Sequence, residues 1–352
     1  MKAVVFINIG SPDFPEPKAV GKYLRQFLMD KYVMNIPLPI RYLLVNGIIV
    51  PFRKNHSAAL YQSIWTTEGS PLKVIQNQLM DSVRKLVSSE EVIITQAMRY
   101  ANPSIENTIR DLAEKNVTDL LFILLYPQNT ASTVKTAKEE ILKNLNKCLP
   151  SANSTFIDSF YENPDYLSCI ASSVKEAMAG IQESPKLIFT YHGIPVTHLP
   201  CPSETARKCN AEWNGCIWHN PEHKTCYRYQ CFRTTEILAD ILQLKPDSYK
   251  HFFQSRLGKG EWLKPYLCEE IKQLPANGTK KVMMIAPSFI IDCLETNYEI
   301  REETKNIFLK HGGSDFFYVS CLNDRPDWSF VISQWIKCWL NNSDISKSRV
   351  SL

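Results

Sequence analysis

A histidine at the end of an apolar run is the first residue of this chain placed to do chemistry. In Lys186-Leu-Ile-Phe-Thr-Tyr-His192, residues Leu187–Tyr191 read as a buried strand, and Gly193 and Pro195 end it abruptly. Ligands of open α/β sheets bind in the crevice beyond the carboxyl ends of the strands. An imidazole there titrates near neutral pH and can take up protons; the other reading is a core histidine with a backbone partner. Downstream, Asp292, Glu295 and Glu299 stand three and four residues apart, on one face if the segment is a helix. Such a row can pass a hard divalent cation or carry protons away, or it is a solvated helix start favoured by the dipole. Other strand ends carry Met98-Arg-Tyr100, Leu125-Tyr-Pro-Gln128, Gln254-Ser-Arg-Leu-Gly258 with Trp262, and Pro287-Ser-Phe289. Aromatic rings, one histidine and several carboxylates at one sheet edge suit a large, flat, apolar ligand with a few polar handles.

The cysteines form a second candidate centre. Five of the eleven, Cys201, Cys209, Cys216, Cys226 and Cys231, fall in one stretch together with His198, His219, His223, Trp213 and Trp218. No paired C-x₂-C occurs in it, which disfavours a zinc ribbon or knuckle. The opening Met1-Lys-Ala-Val-Val-Phe-Ile reads as a strand rather than a signal peptide, so a reducing compartment without disulfides is expected. Four irregularly spaced thiolates under aromatic cover suit a [2Fe–2S] cluster, with zinc or no metal as the alternatives.

These residues need a scaffold. A chain of 352 residues is enough for about two ordinary domains, and a net charge of +4 makes no case for nucleic acid. Short apolar runs alternate with helical patterns, which predicts parallel βαβ units. Strands are expected at Ala3–Ile9, Val92–Met98, Leu120–Tyr126 and Thr155–Ser159, then at Leu187–Tyr191, His251–Gln254, Lys281–Ala286 and Phe316–Ser320. Four and four predict an α/β protein of two similar Rossmann-like domains, each with a four-stranded parallel sheet flanked by helices. The first spans 1–160 and the second 161–326 with a cysteine-rich insertion at 198–231; a helix over 327–340 packs back on the first. No Gly-x-Gly-x-x-Gly or Walker pattern follows the first strand, so a nucleotide is not the expected ligand. The apolar segment Ile36–Phe52 is broken by prolines, Arg41 and Asn46 and is too short to span a bilayer. It either lies on a membrane surface or walls a pocket, or is an ordinary buried helix.

Several of these segments, read together, resemble ferrochelatase. They are Asn8-x-Gly10-x-Pro12, Met98-Arg-Tyr100, Leu125-Tyr-Pro-Gln128, Tyr191-His-Gly-Ile-Pro195, Gln254-Ser-Arg-x-Gly258 with Trp262-Leu, and Pro287-x-Phe-x-x-Asp-Cys-Leu-Glu295-Thr. They occur in family order over nearly the whole chain. The resemblance implies a chelatase-type fold and a lyase that inserts Fe²⁺ into protoporphyrin IX to form protohaem, the last step of haem biosynthesis. It implies His192 as the base taking the pyrrole protons and Glu295 across the pocket, both toward the substrate iron, with Asp292 and Glu299 as a metal or proton path. Arg99 and Tyr100 would position the macrocycle or its propionates, and Ile9, Tyr61, Trp262 and Phe289 would form apolar walls that hold the ring bent. Many family members carry a second histidine where this chain has Cys293.

In animal-type members three C-terminal cysteines and one after the Leu-Tyr-Pro-Gln motif hold a [2Fe–2S] cluster. Here that last position is Ala131, and no cysteine follows Cys338. The chain resembles instead bacterial members with an internal cluster segment, which assigns Cys201, Cys209, Cys216 and Cys226 as ligands. The further expectations are a monomer, cytoplasmic, with peripheral contact to the inner membrane. The alternatives are a coproporphyrin ferrochelatase, a non-catalytic porphyrin or haem carrier, or an iron–sulfur sensor on a dead scaffold.

Overall fold

Uninterrupted apolar runs between polar turns form the strands of both sheets. The computed structural model describes residues 1–88, 92–212, 220–256, 258 and 260–343; Cys216, Trp213, Trp218 and His219 lie outside them. Among the described residues β1 (Lys2–Asn8), β2 (Val92–Met98), β3 (Asp119–Leu124) and β4 (Asn153–Ile157) form one sheet in the order β2-β1-β3-β4. Strands β5 (Lys186–His192), β6 (Tyr249–Gln254), β7 (Lys281–Ile285) and β8 (Asp315–Tyr318) form another in the order β6-β5-β7-β8. Every neighbouring pair is parallel. All eight expected strands are present. β1, β3, β4, β5, β6 and β8 start a residue or two early; two of the ladders open on polar pairs, Asp119 with Asn153 and Lys281 with Asp315.

Parallel strands need crossovers, and helices supply them. The first set comprises α1 (Pro17–Leu28), α2 (Leu38–Leu43), α3 (Val50–Ile64), α4 (Pro71–Val87), α5 (Ile105–Glu114) and α6 (Thr136–Cys148). The second comprises α7 (Pro164–Met178), α8 (Ser203–Glu212), α9 (Tyr227–Ile241), α10 (Leu267–Gln273) and α11 (Lys305–Lys310), and α12 (Pro326–Leu340) closes the series. Prolines open α4, α7 and α12 at a position where no backbone donor is lost. In each sheet the first strand of the quartet sits second in order, so the chain reverses direction beside β1 and beside β5. Such switch points are where open α/β sheets bind ligands.

The chain divides into two compact units. One holds Met1–Tyr126, Ala131–Ser159 and the stretch beginning at Asp324; the other holds Pro127–Thr130 and Phe160–Asn323. In the first unit α12 packs on α4, with Trp328 and Trp335 buried edge to face at 5.4 Å. Its terminal carbonyl at Leu340 accepts a hydrogen bond from Lys2 Nζ.

The segment over α2, the wide-turned π-helix Leu44–Ile49 and the start of α3 reverses the usual pattern of burial. Of its apolar side chains only Val45 and Val50 are buried, against Leu28, with Ile49 packed partly buried beside them. Leu43 and Phe52 are 69% and 79% exposed, with Leu38, Ile40, Tyr42 and Ile48 also outside. Arg41, by contrast, is buried and donates from Nη1 to the carbonyl of Met34 at 2.9 Å. The reading of Ile36–Phe52 as an ordinary buried helix is therefore corrected: too few of its apolar side chains find partners. No helix among the described residues is long and apolar enough to cross a membrane.

Candidate active site

His192 is the last residue of β5 and is half-buried. Its ring Nδ1 lies 2.7 Å from the carbonyl of Gly193. A carbonyl only accepts, so Nδ1 carries the proton and the lone pair of the neutral ring is on Nε2. The main chain of His192 is held from other segments: Tyr227, first residue of α9, donates its hydroxyl to the His192 carbonyl at 2.8 Å, and the His192 N–H reaches Ser288 Oγ at 3.4 Å. Gly193 donates its N–H to the carbonyl of Gln254 at 2.8 Å. A Cβ there would stand 2.7 Å from that carbonyl oxygen, too close for any side chain, and 3.5 Å from Cε3 of Trp262, an ordinary contact; it is the Gln254 carbonyl that requires glycine. Trp262 thus lies against the peptide that follows the histidine, and Pro195 and Trp262 form an antiparallel bridge.

Burial pushes His192 below the ordinary imidazole value, and the charge of nearby Glu295 pulls it partly back. Glu295 opens a π-helix, Glu295–Thr304, rather than the α-helix that the spacing predicts. Its i→i+5 turns keep Glu295 and Glu299 on one side. Burial first, then the charge of Glu295, raise the Glu299 carboxyl to about 7, against opposing hydrogen bonds from Ser255 and Gln254. The Ser255 hydroxyl donates directly to Glu299.

Asp292 is buried just ahead of this turn and has both oxygens engaged. Tyr318 donates to Oδ1 at 2.7 Å and Asn323 to Oδ2 at 2.8 Å, while the Asp292 N–H donates to Asn323 Oδ1. Burial and the Glu295 charge raise the Cys293 thiol, which keeps it protonated and a poor metal ligand at neutral pH. Phe289 packs half-buried against the core of this unit.

The other unit brings together a second set. Gly10 has φ +99°, and a Cβ there would fall 1.9 Å from the carbonyl oxygen of Tyr100. This ties Asn8-x-Gly10 to Arg99-Tyr100, whose N–H groups donate to the carbonyls of Asn8 and Ile9. Arg99 donates from Nη2 to Asp30 Oδ2 at 2.7 Å and from Nε to Thr136 Oγ1 at 2.8 Å. The hydroxyls of Tyr100 and Thr136 donate to the same Asp30 oxygen. Burial raises the Asp30 carboxyl, but hydrogen bonds from Thr136 and the Tyr32 N–H, with the Arg99 charge, hold it below the carboxylate range. Arg99 and Tyr100, assigned to a ligand from sequence, thus spend these donors inside their own unit. Tyr61 packs edge to face with Tyr23 and Trp65, and Ile9 lies half-buried on the core.

Sequence reading missed Asp30 and Tyr227, and read Ser255 and Ser288 only as members of the Gln254-Ser-Arg and Pro287-Ser-Phe segments; each acts through a contact far away along the chain.

In the cysteine insertion Cys209 and Cys226 are buried and Cys201 is half-buried. Arg228 donates from Nη1 to Cys209 Sγ at 3.0 Å. Among the described residues no group of three or more His, Cys, Asp or Glu side chains stands together to hold a metal ion. Cys201, Cys209 and Cys226 belong to no such group, and Cys216, the fourth assigned ligand, lies outside the described residues.

The profile of the ferrochelatase family matches residues 1–338. A ferrochelatase of Coxiella burnetii (strain CbuK_Q154) is 37% identical over 335 residues, covering 95% of this chain and 92% of the relative. One from Ectopseudomonas mendocina is 37% identical, covering 93% and 94%, and one from Porphyromonas gingivalis is 33% identical, covering 93% of each. Among solved structures, SirB from Bacillus subtilis with Fe³⁺ has a TM-score of 0.52 at 11% identity over 96% of this chain and 94% of its own, a likeness of fold.

The raised carboxyl at Glu299 has a measurable consequence. A carboxyl lifted from 4.5 to about 7 on folding favours the protonated native state. Its contribution is fully present below pH 4.5 and is lost as pH rises through about 7. Wild-type stability should fall by roughly 2–3 kcal/mol from this group between about pH 5 and pH 8. Glu299→Gln should flatten that slope in urea unfolding across the range.

Proposed function

The chain belongs to the ferrochelatase family, and from that premise we propose that it inserts Fe²⁺ into protoporphyrin IX to form protohaem, with His192 as the base. The reaction exchanges two pyrrole protons for one ferrous ion, with no change of oxidation state. The observation that carries the reading is the Nδ1 contact to the Gly193 carbonyl, which leaves the Nε2 lone pair to accept a pyrrole proton. Burial keeps the ring neutral before it acts. Glu295 stabilises the imidazolium that forms, and Glu299, with its carboxyl near neutrality, takes the proton onward. The same pair of carboxylates is the approach for the substrate iron. Asp292, with both oxygens engaged by Tyr318 and Asn323, anchors the start of the acidic turn rather than carrying traffic. Trp262 and Phe289 supply apolar walls that favour the bent macrocycle; Ile9 and Tyr61 are assigned to the porphyrin by the family resemblance alone. Arg99 and Tyr100, fixed by Asp30, stiffen the loop behind Ile9.

Anaerobic incubation with Fe²⁺ and protoporphyrin IX should give the haem spectrum. His192→Ala should lose at least about 100-fold in turnover. Wild-type protein without product, or His192→Ala at full rate, overturns the reading. Parallel turnover of coproporphyrin separates the two porphyrin specificities, and a folded protein that binds porphyrin without turnover is a carrier.

The outward apolar residues of Ile36–Phe52, with exposed Arg53 beside them, support peripheral contact of a monomeric cytoplasmic enzyme with a membrane that holds its poorly soluble substrate. Joint replacement Leu43→Asp and Phe52→Asp should weaken binding to anionic phospholipid vesicles by at least about tenfold in co-sedimentation. Undiminished binding ends this part of the proposal.

The [2Fe–2S] assignment rests on cysteine type and spacing, supported by the burial of Cys209 and Cys226 and by the guanidinium on Cys209. Among the described residues its three thiols belong to no metal-holding group, and no step of the reaction passes through it. Anaerobically purified protein should show visible iron–sulfur absorption that Cys209→Ser abolishes; colourless, iron-free protein removes the assignment.

A further inference from the structure

Helix α8 of the cysteine insertion carries one residue that the proposed reaction does not use, Asn210. It is 0% exposed. Its amide is fully committed to a single short segment, Glu261–Lys264. Nδ2 donates to the carbonyl of Trp262 and to Glu261 Oε1, both at 3.1 Å, and Oδ1 accepts the N–H of Lys264 at 2.9 Å. The two carbonyl-type partners and the single N–H partner fix which end of the amide faces which way. Only an asparagine-sized amide reaches all three, because one side chain must donate twice and accept once.

The segment it clamps lies against the residues that follow His192. Val196 N–H donates to the Glu261 carbonyl at 2.9 Å and Leu263 N–H to the Ile194 carbonyl at 3.0 Å. Those bonds set the strand direction of 261–263. They leave the Trp262 carbonyl to Asn210 and, at 3.3 Å, to the Tyr266 hydroxyl. The Trp262 ring is close enough to Gly193 that a single added methyl there would touch it. A buried amide bridging donor and acceptor across such a segment fixes its position, since its loss frees the Lys264 N–H and the Glu261 carboxylate and leaves the Trp262 carbonyl to the Tyr266 hydroxyl alone.

We propose that Asn210 is a positioning residue that holds the Trp262 wall against the His192–Gly193 peptide, so that the insertion acts on the porphyrin site. This rests on the reading of Trp262 as a porphyrin wall, and it gives α8 a role that needs no metal.

The test is a double-mutant cycle on the full chain, reading kcat/KM for protoporphyrin IX alongside the thermal midpoint. Asn210→Leu should lower kcat/KM roughly tenfold, and Trp262→Ala at least as much. The double variant should be no worse than Trp262→Ala alone, because the clamp has nothing left to place. A purely structural asparagine would instead lower the midpoint and act additively in the Trp262→Ala background, which overturns the proposal. Wild-type kcat/KM in folded Asn210→Leu also overturns it. If Trp262→Ala alone has no effect, the wall reading is what fails, and the clamp falls with it. Should Asn210→Leu not fold, Asn210→Asp enters the same cycle. It keeps the acceptor for Lys264 and loses both donations, with the same two outcomes deciding.

Discussion

The crowding of backbone against backbone at Gly193 is the constraint on which the candidate site depends. One residue with no side chain lets the Gln254 carbonyl close on Gly193, whose own carbonyl lies 2.7 Å from the His192 imidazole. The same peptide then fixes the imidazole tautomer, because its carbonyl can only accept. Strand β5 delivers His192 to this point, and β6 delivers Gln254 beside it in register. The chemistry of the site is therefore set by main-chain geometry first and by side-chain identity second.

The two units treat buried charge in opposite ways. Around Asp30, one carboxylate is matched by Arg99 and by hydroxyl and amide donors, so it stays ionised and rigid. Around Glu295 and Glu299, two carboxylates face each other with a serine and an amide nearby, and one of them holds its proton up to about neutral pH. The first arrangement fixes a loop rigidly; the second leaves a carboxyl that gains or loses its proton near neutral pH. Removing Arg99 would leave Asp30 as a buried charge without its cation, whereas the charges that act most on Glu299 are carboxylates, Glu295 and Glu303.

Much of this was legible in the sequence, and the reasons differ from residue to residue. The strands announced themselves as short apolar runs because both faces of a parallel sheet are covered. His192 was visible because a strand end followed by Gly-x-Pro exposes its last side chain. The acidic row was visible from spacing, since an α-turn and a π-turn both keep residues four apart on one side. Its wide turn was not, because nothing in Glu295-Thr-Asn-Tyr-Glu299 marks i→i+5 bonding. The outward face of Leu43 and Phe52 was equally hidden: composition says apolar, and only the short partner list around Val45 and Val50 says unburied. Arg99 looked like a ligand donor from its strand-end position, but its partner Asp30 comes from a helix end far earlier in the chain. The cysteines showed number and spacing, while convergence is a property of three dimensions.

The wide turn at Glu295–Thr304 also constrains how this chain can change length. A π-turn is an α-turn with one residue more per hydrogen-bonded ring. Losing a single residue anywhere in it would let the segment relax into a better helix continuous with α11, at a gain in local stability. The relaxation would rotate everything before the deletion by about 100° relative to everything after it, so the acidic pair and the residues of α11 could not both keep their present neighbours. Substitutions within this segment are judged one side chain at a time, but a deletion is judged by the whole row. Selection on this protein should therefore guard the residue count between Glu295 and Thr304 more strictly than the composition.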